Sequence, residues 1–164
     1  MTSNRKRTRS TQVDGALQRS ALVGRRLPEL RVMLTTGRSK SIEPYLGAQN
    51  TLLCFFHGVW CAECVLLLWD LQRHLRKLAA AGIEILAAIR DQPETIAAFV
   101  ANQRRALTYT VVADPDGSAH RRVGAGGHTM MLLVDRNRMV RRITHWGDRG
   151  RSSDDSGLLD ELQK

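Results

Sequence analysis

The chain has 164 residues, 43% of them hydrophobic and 25% charged, with a net charge of +9 and three cysteines. That is enough for one domain with a core of its own. Cys54, Cys61 and Cys64 are too few and too closely spaced for the disulfide framework of a secreted mini-protein, which favours a reducing compartment. No stretch approaches the roughly 20 apolar residues of a membrane span, and no apolar run of signal-peptide length follows the basic N-terminus. The expectation is a soluble, cytoplasmic protein.

The positive charge lies mainly at the start. Residues 1–27 hold Arg5, Lys6, Arg7, Arg9, Arg19, Arg25 and Arg26 against the single acid Asp14, so they supply +6 of the +9. A basic, Ser/Thr-rich segment without aromatics cannot bury enough surface to order itself. Residues 1–22 therefore read as a basic, disordered tail able to make a weak contact with a polyanion, nucleic acid or anionic lipid. Base-stacking aromatics are missing from it, which makes nucleic-acid binding the minor hypothesis. Residues 23–164 read as the domain.

Leu30 to Leu34 is a short extended segment ending at Thr35-Thr36-Gly37, and Ser41 to Tyr45 is expected to pair with it across Arg38-Ser39-Lys40. Thr51 to Phe56 is a continuous apolar run of buried-strand length. From Cys61 onward Leu68, Leu71, Leu75 and Leu78 recur at three and four, with Arg73, His74, Arg76 and Lys77 on the other side until Gly82, which predicts an amphipathic helix. Ile83 to Ile89 reads as the next strand. Asp91 and Glu94 about Pro93 make a start signal for a helix over Glu94 to Arg105.

Thr108 to Val112 is another strand, Asp114-Pro115-Asp116-Gly117 a strong turn, and Ser118 to Val123 a helical turn. Gly124 to Gly127 is a glycine-bearing loop. Met130 to Val134 and Met139 to Thr144 make a hairpin about Arg136-Asn137, and a last helix is expected over Asp154 to Gln163 after a polar loop. The fold class is α/β, a central mixed β-sheet flanked by helices with an N-terminal β extension. The right-handed crossover rule makes the strands around Cys61's helix parallel neighbours.

The chemistry centres on Cys61 and Cys64, where an apolar strand ends and a helix begins. A cysteine at a helix N-terminus meets unpaired N–H groups and a positive dipole end, so it loses its proton more readily than a free thiol. Cys61 is then the thiolate, and Cys64, one turn on, is close enough to resolve a sulfenic acid or mixed disulfide formed on it. A C-x-x-C is also half of a zinc site, or two inert small hydrophobes. No second C-x-x-C and no H-x(3–5)-H accompanies it here, so redox chemistry is the leading reading and metal or cluster binding the alternative.

Around the pair, Trp60 reads as groove wall. His57 is either a strand-end structural residue or an electrostatic helper. Cys54, within the apolar strand, reads as buried and inert. Asp114 and Asp116 read as turn residues, and Met130 and Met131 as strand core.

The stretch Phe56-His57-Gly58-Val59-Trp60-Cys61-Ala62-Glu63-Cys64 resembles the F-x-R-G-x-W-C-P-x-C strand end of thioredoxin-fold redoxins, most closely the peroxiredoxin-like members of the AhpC/TSA family. Val23-Gly24 through Leu27-Pro28-Glu29-Leu30 is similar to their V-G-x-x-A-P-x-F opening. Val112-Ala113-Asp114-Pro115-Asp116-Gly117 with Arg121-Arg122-Val123-Gly124, and Leu132-Leu133-Val134-Asp135, resemble their later segments. The likeness spans about Val23 to Trp146. It implies a thioredoxin-like fold and a thiol-dependent oxidoreductase that reduces peroxides or protein disulfides, with Cys61 attacking and Cys64 resolving. No cofactor is implied. The partners would be the peroxide or disulfide substrate, a thiol electron donor and, for some arrangements, a second copy in a homodimer.

The departures are informative. The peroxiredoxin signature P-x-x-x-T-x-x-C would put proline at Cys54 and threonine at Gly58, so the hydroxyl that contacts peroxide in the family is absent. Thioredoxin's buried carboxylate corresponds to Phe55, and Glu63 is the nearest acid. Glu63 should oppose thiolate formation on Cys61, while a protonated His57 would favour it. A reducing couple is expected, nearer about −270 mV than the strong oxidants at about −120 mV. Opposite the motif, where the fold generally places a cis-proline, stands Gly126-Gly127-His128-Thr129, so that either His128 or Thr129 takes the position. A Cys61/Cys64/His128 set would suit zinc or an iron–sulfur cluster.

Overall fold

The computed structural model describes residues 21–126 and 129–145, and everything below concerns these. The strands are β1 (Arg31–Met33), β2 (Ser39–Ser41), β3 (Asn50–Phe56), β4 (Ile83–Ile89), β5 (Thr110–Ala113), β6 (Met130–Val134) and β7 (Val140–His145). The helices are α1 (Ala62–Ala80), α2 (Pro93–Ala101) and α3 (Ser118–Arg122), with a 3-10 turn over Glu43–Tyr45. The strands form one sheet in the order β2-β1-β5-β4-β3-β6-β7. β3, β4 and β5 run parallel, while β6 is antiparallel to β3 and β7 to β6. The β1–β2 hairpin adds to the β5 edge through Met33 and Ala113 and is the N-terminal extension expected.

β3 is apolar throughout because both of its faces are covered. Leu53 and Phe55 face Leu86, Ala88, Val112, Met130 and Leu132, with Ala119 and Val123 on and after α3. Leu52, Cys54 and Phe56 face the other way, against Leu67, Leu68, Leu71 and Leu78 of α1 and Ile96 of α2. Burying each such α1 leucine contributes about 1.5–3 kcal/mol. The leucine spacing read from the sequence therefore marks the helix face that clamps α1, and Cys61 with it, to the end of β3.

Three boundaries differ from expectation. The second extended segment is Ser39–Ser41, paired as Arg31 with Ser41, and not Ser41 to Tyr45. Gly37, at φ +84°, permits a tight reversal, with its N–H on Leu34 O at 2.8 Å. Pro44, lacking an N–H, then starts a 3-10 turn in place of a ladder.

α2 ends at Ala101 and not at Arg105; beyond it Gln103 turns back to donate to Phe99 O at 3.0 Å. β5 starts at Thr110 because the two residues before it are held by α1. Gln72 and Thr108 bond reciprocally at 2.9 Å, and Tyr109 Oη donates to Leu68 O at 2.7 Å. The tail over residues 1–20, His128, and the helix expected over Asp154 to Gln163 lie outside the described residues.

Candidate active site

β3 delivers the chain to its carboxyl end at Phe56, and the next five residues turn it into α1. Phe56 O accepts from Arg90 N–H at 2.9 Å and from His120 Nε2 at 3.0 Å, so the strand end is tied from two sides. The turn closes with Cys61 N–H on Gly58 O at 3.3 Å. A carboxylate oxygen of Asp91, just past β4, accepts from Val59 N–H at 3.3 Å. Cys61 is the N-cap of α1, in extended conformation, and its Sγ accepts from Cys64 N–H at 3.3 Å. A sulfur thus occupies the place where a serine or aspartate oxygen usually satisfies the open N–H groups of a helix.

Both cysteines are free thiols; Cys61 is half-buried and Cys64 buried. Behind Cys64, Thr129 Oγ1 lies 3.4 Å from its Sγ, and His57 Nδ1 lies 3.9 Å from it. Burial pushes the Cys64 thiol up, and its contact with Cys61 adds to this; the Thr129 hydroxyl and the backbone of His57 act in the opposite direction without cancelling it. Cys64 is therefore held as a thiol near neutral pH. The sulfurs of Cys61 and Cys64 and a ring nitrogen of His57 all lie within 4.8 Å of one another.

Of the two residues read for the loop opposite the motif, His128 lies outside the described residues. Thr129, 6% exposed, is the described residue that meets the dithiol, and it presents a hydroxyl there. Trp60 is 74% exposed, its indole roughly parallel to the His57 ring at 6.4 Å between centroids. Glu63 is exposed in the first turn of α1. A Cβ at Gly58 would come within 2.2 Å of the Trp60 indole nitrogen, so the indole fills the space that a threonine at that position would use. Cys54 is fully buried among α1 side chains, and burial drives its thiol far above the ordinary range.

Two elements of the site escaped sequence reasoning. Asp91 anchors the motif loop, although its sequence context signals only a helix start. Asp114 is more than a turn residue: it is buried and accepts from His120 Nδ1 at 2.6 Å and from the N–H groups of His120 and Ala119 at 2.9 and 3.2 Å. Burial pushes the Asp114 carboxyl up, but the hydrogen bonds and charge of His120, with the Ala119 N–H, outweigh it and hold the carboxyl below its usual range. A histidine one turn into the helix after an Asp-Pro-Asp-Gly turn was the available signal.

A profile of the AhpC/TSA family matches residues 23–143, nearly the whole described chain. The chain belongs to the AhpC/TSA family. Among solved structures, this AhpC/TSA chain is similar to Enterococcus faecalis AhpC, with a TM-score of 0.71 at 20% identity over 87% of this chain and 90% of that one. Reduced 2-Cys peroxiredoxin from Plasmodium vivax gives a TM-score of 0.70 at 18% identity, covering 87% and 96% of the two chains. A candidate thiol:disulfide interchange protein DsbE from Chlorobium tepidum gives 0.70 at 22% identity, covering 86% and 95%. At such identities the likeness establishes the thioredoxin-like fold, as expected from the sequence. A search of curated proteins finds no match. No helix among the described residues is long and apolar enough to cross a membrane.

Proposed function

We propose that this AhpC/TSA chain is a dithiol oxidoreductase whose preferred oxidant is a disulfide, with Cys61 as nucleophile and Cys64 as resolving thiol. The observation that carries the reading is the capping geometry: Cys61 Sγ accepts the Cys64 N–H at 3.3 Å at the start of α1, half-open to solvent, with the Cys64 thiol buried behind it. Cys61 Sγ is the sulfur that sits at that helix start and reaches solvent. Its thiolate attacks one sulfur of the substrate disulfide, forming a mixed disulfide and expelling the other sulfur as thiolate. Cys64 then loses its proton and attacks Cys61 Sγ. The Cys61–Cys64 disulfide forms, the second substrate thiolate leaves, and two electrons have passed to the substrate.

The second step needs a proton acceptor where thioredoxin-type proteins use a buried carboxylate. Phe55 takes that position here and is fully buried. His57 Nδ1, 3.9 Å from Cys64 Sγ, is the base we assign to it. Peroxide is the weaker substrate, because Gly58 supplies no hydroxyl and the Trp60 indole fills the adjoining space. A thiol donor in a reducing compartment, expected to be the cytoplasm, would return the disulfide to the dithiol.

The test is stopped-flow fluorescence of the reduced chain mixed with a model disulfide or with hydrogen peroxide, the product identified by mass. Rapid exchange with the disulfide and slow reaction with peroxide are expected, ending in a Cys61–Cys64 bond. Faster oxidation by peroxide would reassign the substrate, and inertness to both would refute the redox reading.

A further inference from the structure

The sequence suggested that a histidine from the opposite loop, His128, joins the two cysteines as metal ligands; that residue lies outside the described part of the chain. Among the described residues, the histidine brought to the sulfurs is His57, from the strand end immediately before the motif. His57, Cys61 and Cys64 form H-x-x-x-C-x-x-C, and their three donor atoms lie within 4.8 Å of one another. Among the described residues this is the one His/Cys/Asp/Glu group with that convergence. Donors on a tetrahedral zinc, at about 2.3 Å for sulfur and 2.0–2.1 Å for nitrogen, stand roughly 3.5–3.8 Å apart. The Cys64 Sγ to His57 Nδ1 separation, 3.9 Å, is already close to that. The remaining contraction, on the order of 1 Å, falls to Cys61, whose half-exposed side chain is the least confined of the two sulfurs.

We infer that the reduced chain binds one zinc ion through Cys61 Sγ, Cys64 Sγ and His57 Nδ1, with the fourth position open to water or an incoming ligand. Two thiolates cancel the charge of the cation, and a set of two sulfurs and one imidazole with an open place is an established zinc arrangement. The backbone that presents the donors is held before any metal arrives: Phe56 O by Arg90 N–H and His120, Val59 N–H by Asp91, and Cys61 N–H by Gly58 O. Thr129 Oγ1, 3.4 Å from Cys64 Sγ, is placed to donate to the bound thiolate and orient it. Binding displaces the two thiol protons, so it strengthens as pH rises. A Cys61–Cys64 disulfide has no thiolate left to offer, so zinc and the disulfide are alternative occupants of the same pair. The inference shares the reduced dithiol with the proposed function but does not need that dithiol to react with any oxidant.

The experiment uses the full chain, reduced and kept free of oxygen, titrated with Co2+ and then with Zn2+ against a chromophoric chelator. One Co2+ per chain is expected, with near-ultraviolet thiolate-to-metal charge transfer and the intense visible bands of a four-coordinate ion, both erased by one equivalent of Zn2+. His57→Ala should weaken zinc at least about tenfold, Cys64→Ser should remove the charge-transfer bands of a two-sulfur site, and Cys54→Ser should change neither. The disulfide form should bind no metal. Absence of thiolate–cobalt bands in the reduced wild-type chain, a reading that depends on no variant's folding, would overturn the inference, as would unchanged affinity and spectrum in a folded His57→Ala. Disulfide exchange by the metal-free protein is measured alongside: metal binding without exchange refutes the redox reading alone, and exchange without metal binding refutes this one alone.

Discussion

His120 Nε2 lies 3.0 Å from the carbonyl oxygen of Phe56, the last residue of the strand that carries the dithiol loop. The same ring bonds Asp114 on its other side at 2.6 Å, so both ring nitrogens face acceptors and the ring joins the turn before α3 to the floor of the site. Both side chains are buried, 2% and 1% exposed, which leaves no water to replace a lost partner. His120→Ala strands the Asp114 carboxylate and the Phe56 carbonyl together. A loss of about 3–5 kcal/mol in urea unfolding is expected, with slower dithiol oxidation in the molecules that remain folded.

The same pair sets the acid limb of stability. Asp114 has its carboxyl held below the ordinary value in the folded chain, so the unfolded chain binds its proton first as pH falls. The stabilisation is complete above the unfolded value of about 3.9 and is lost as pH falls through the lower folded value. Unfolding free energy should therefore drop from about pH 4 downward. Asp114→Asn, less stable at neutral pH, should show a shallower decline over that window.

Burial of Cys54 acts at the other end of the scale. Its folded-state thiol titrates far above an unfolded one, so its contribution is present below about pH 8.5 and erodes as pH rises beyond it. Cys54→Ala should flatten that alkaline decline. In native protein, alkylation followed by peptide mass mapping should label Cys61 first and leave Cys54 unmodified until denaturant is added.

Cys61 and Cys64 should separate cleanly as variants. Cys64→Ser is expected to stop at a mixed disulfide between Cys61 and the substrate, visible by intact mass, because the resolving thiol is gone. Cys61→Ser should give no covalent adduct under the same conditions, since Cys64 is buried and its thiol is held up by that burial. An adduct on Cys64 in that variant would reverse the two roles.

Gly58 and Trp60 offer a local test of the surface. A Cβ at position 58 requires the Trp60 indole to move, and an indole that is 74% exposed can swing into solvent with little loss of packing. Gly58→Ala should therefore cost under about 1 kcal/mol while changing tryptophan fluorescence. Gly58→Thr reports whether a hydroxyl there, once the indole has moved, raises the rate with peroxide.

Much of this protein is written locally. The apolar run of β3, the leucine spacing of α1 and the C-x-x-C between them place two thiols at a strand end and a helix start, because backbone geometry and hydrophobic periodicity act over a few residues. The family resemblance of the motif and its flanking segments anticipated the fold. The start of β5 was less legible, since partners distant in the chain decide it: Gln72 for Thr108 and Leu68 for Tyr109. The bounds of the short N-terminal hairpin and of α2 turn on local reversals at Gly37, Pro44 and Gln103, which hydrophobic periodicity does not report.

The site beyond the cysteines belongs to the tertiary structure. Thr129 stands 65 positions from Cys64, and His120 stands 64 from Phe56; nothing in the local pattern announces either contact. His57 was visible four residues before Cys61, but spacing alone did not say whether its ring faces the sulfurs. That is settled by the ties on Phe56 O and Val59 N–H, which hold the turn so that one imidazole nitrogen and two sulfurs converge. Long-range hydrogen bonds, invisible to any local periodicity, turn a cysteine pair into a built site.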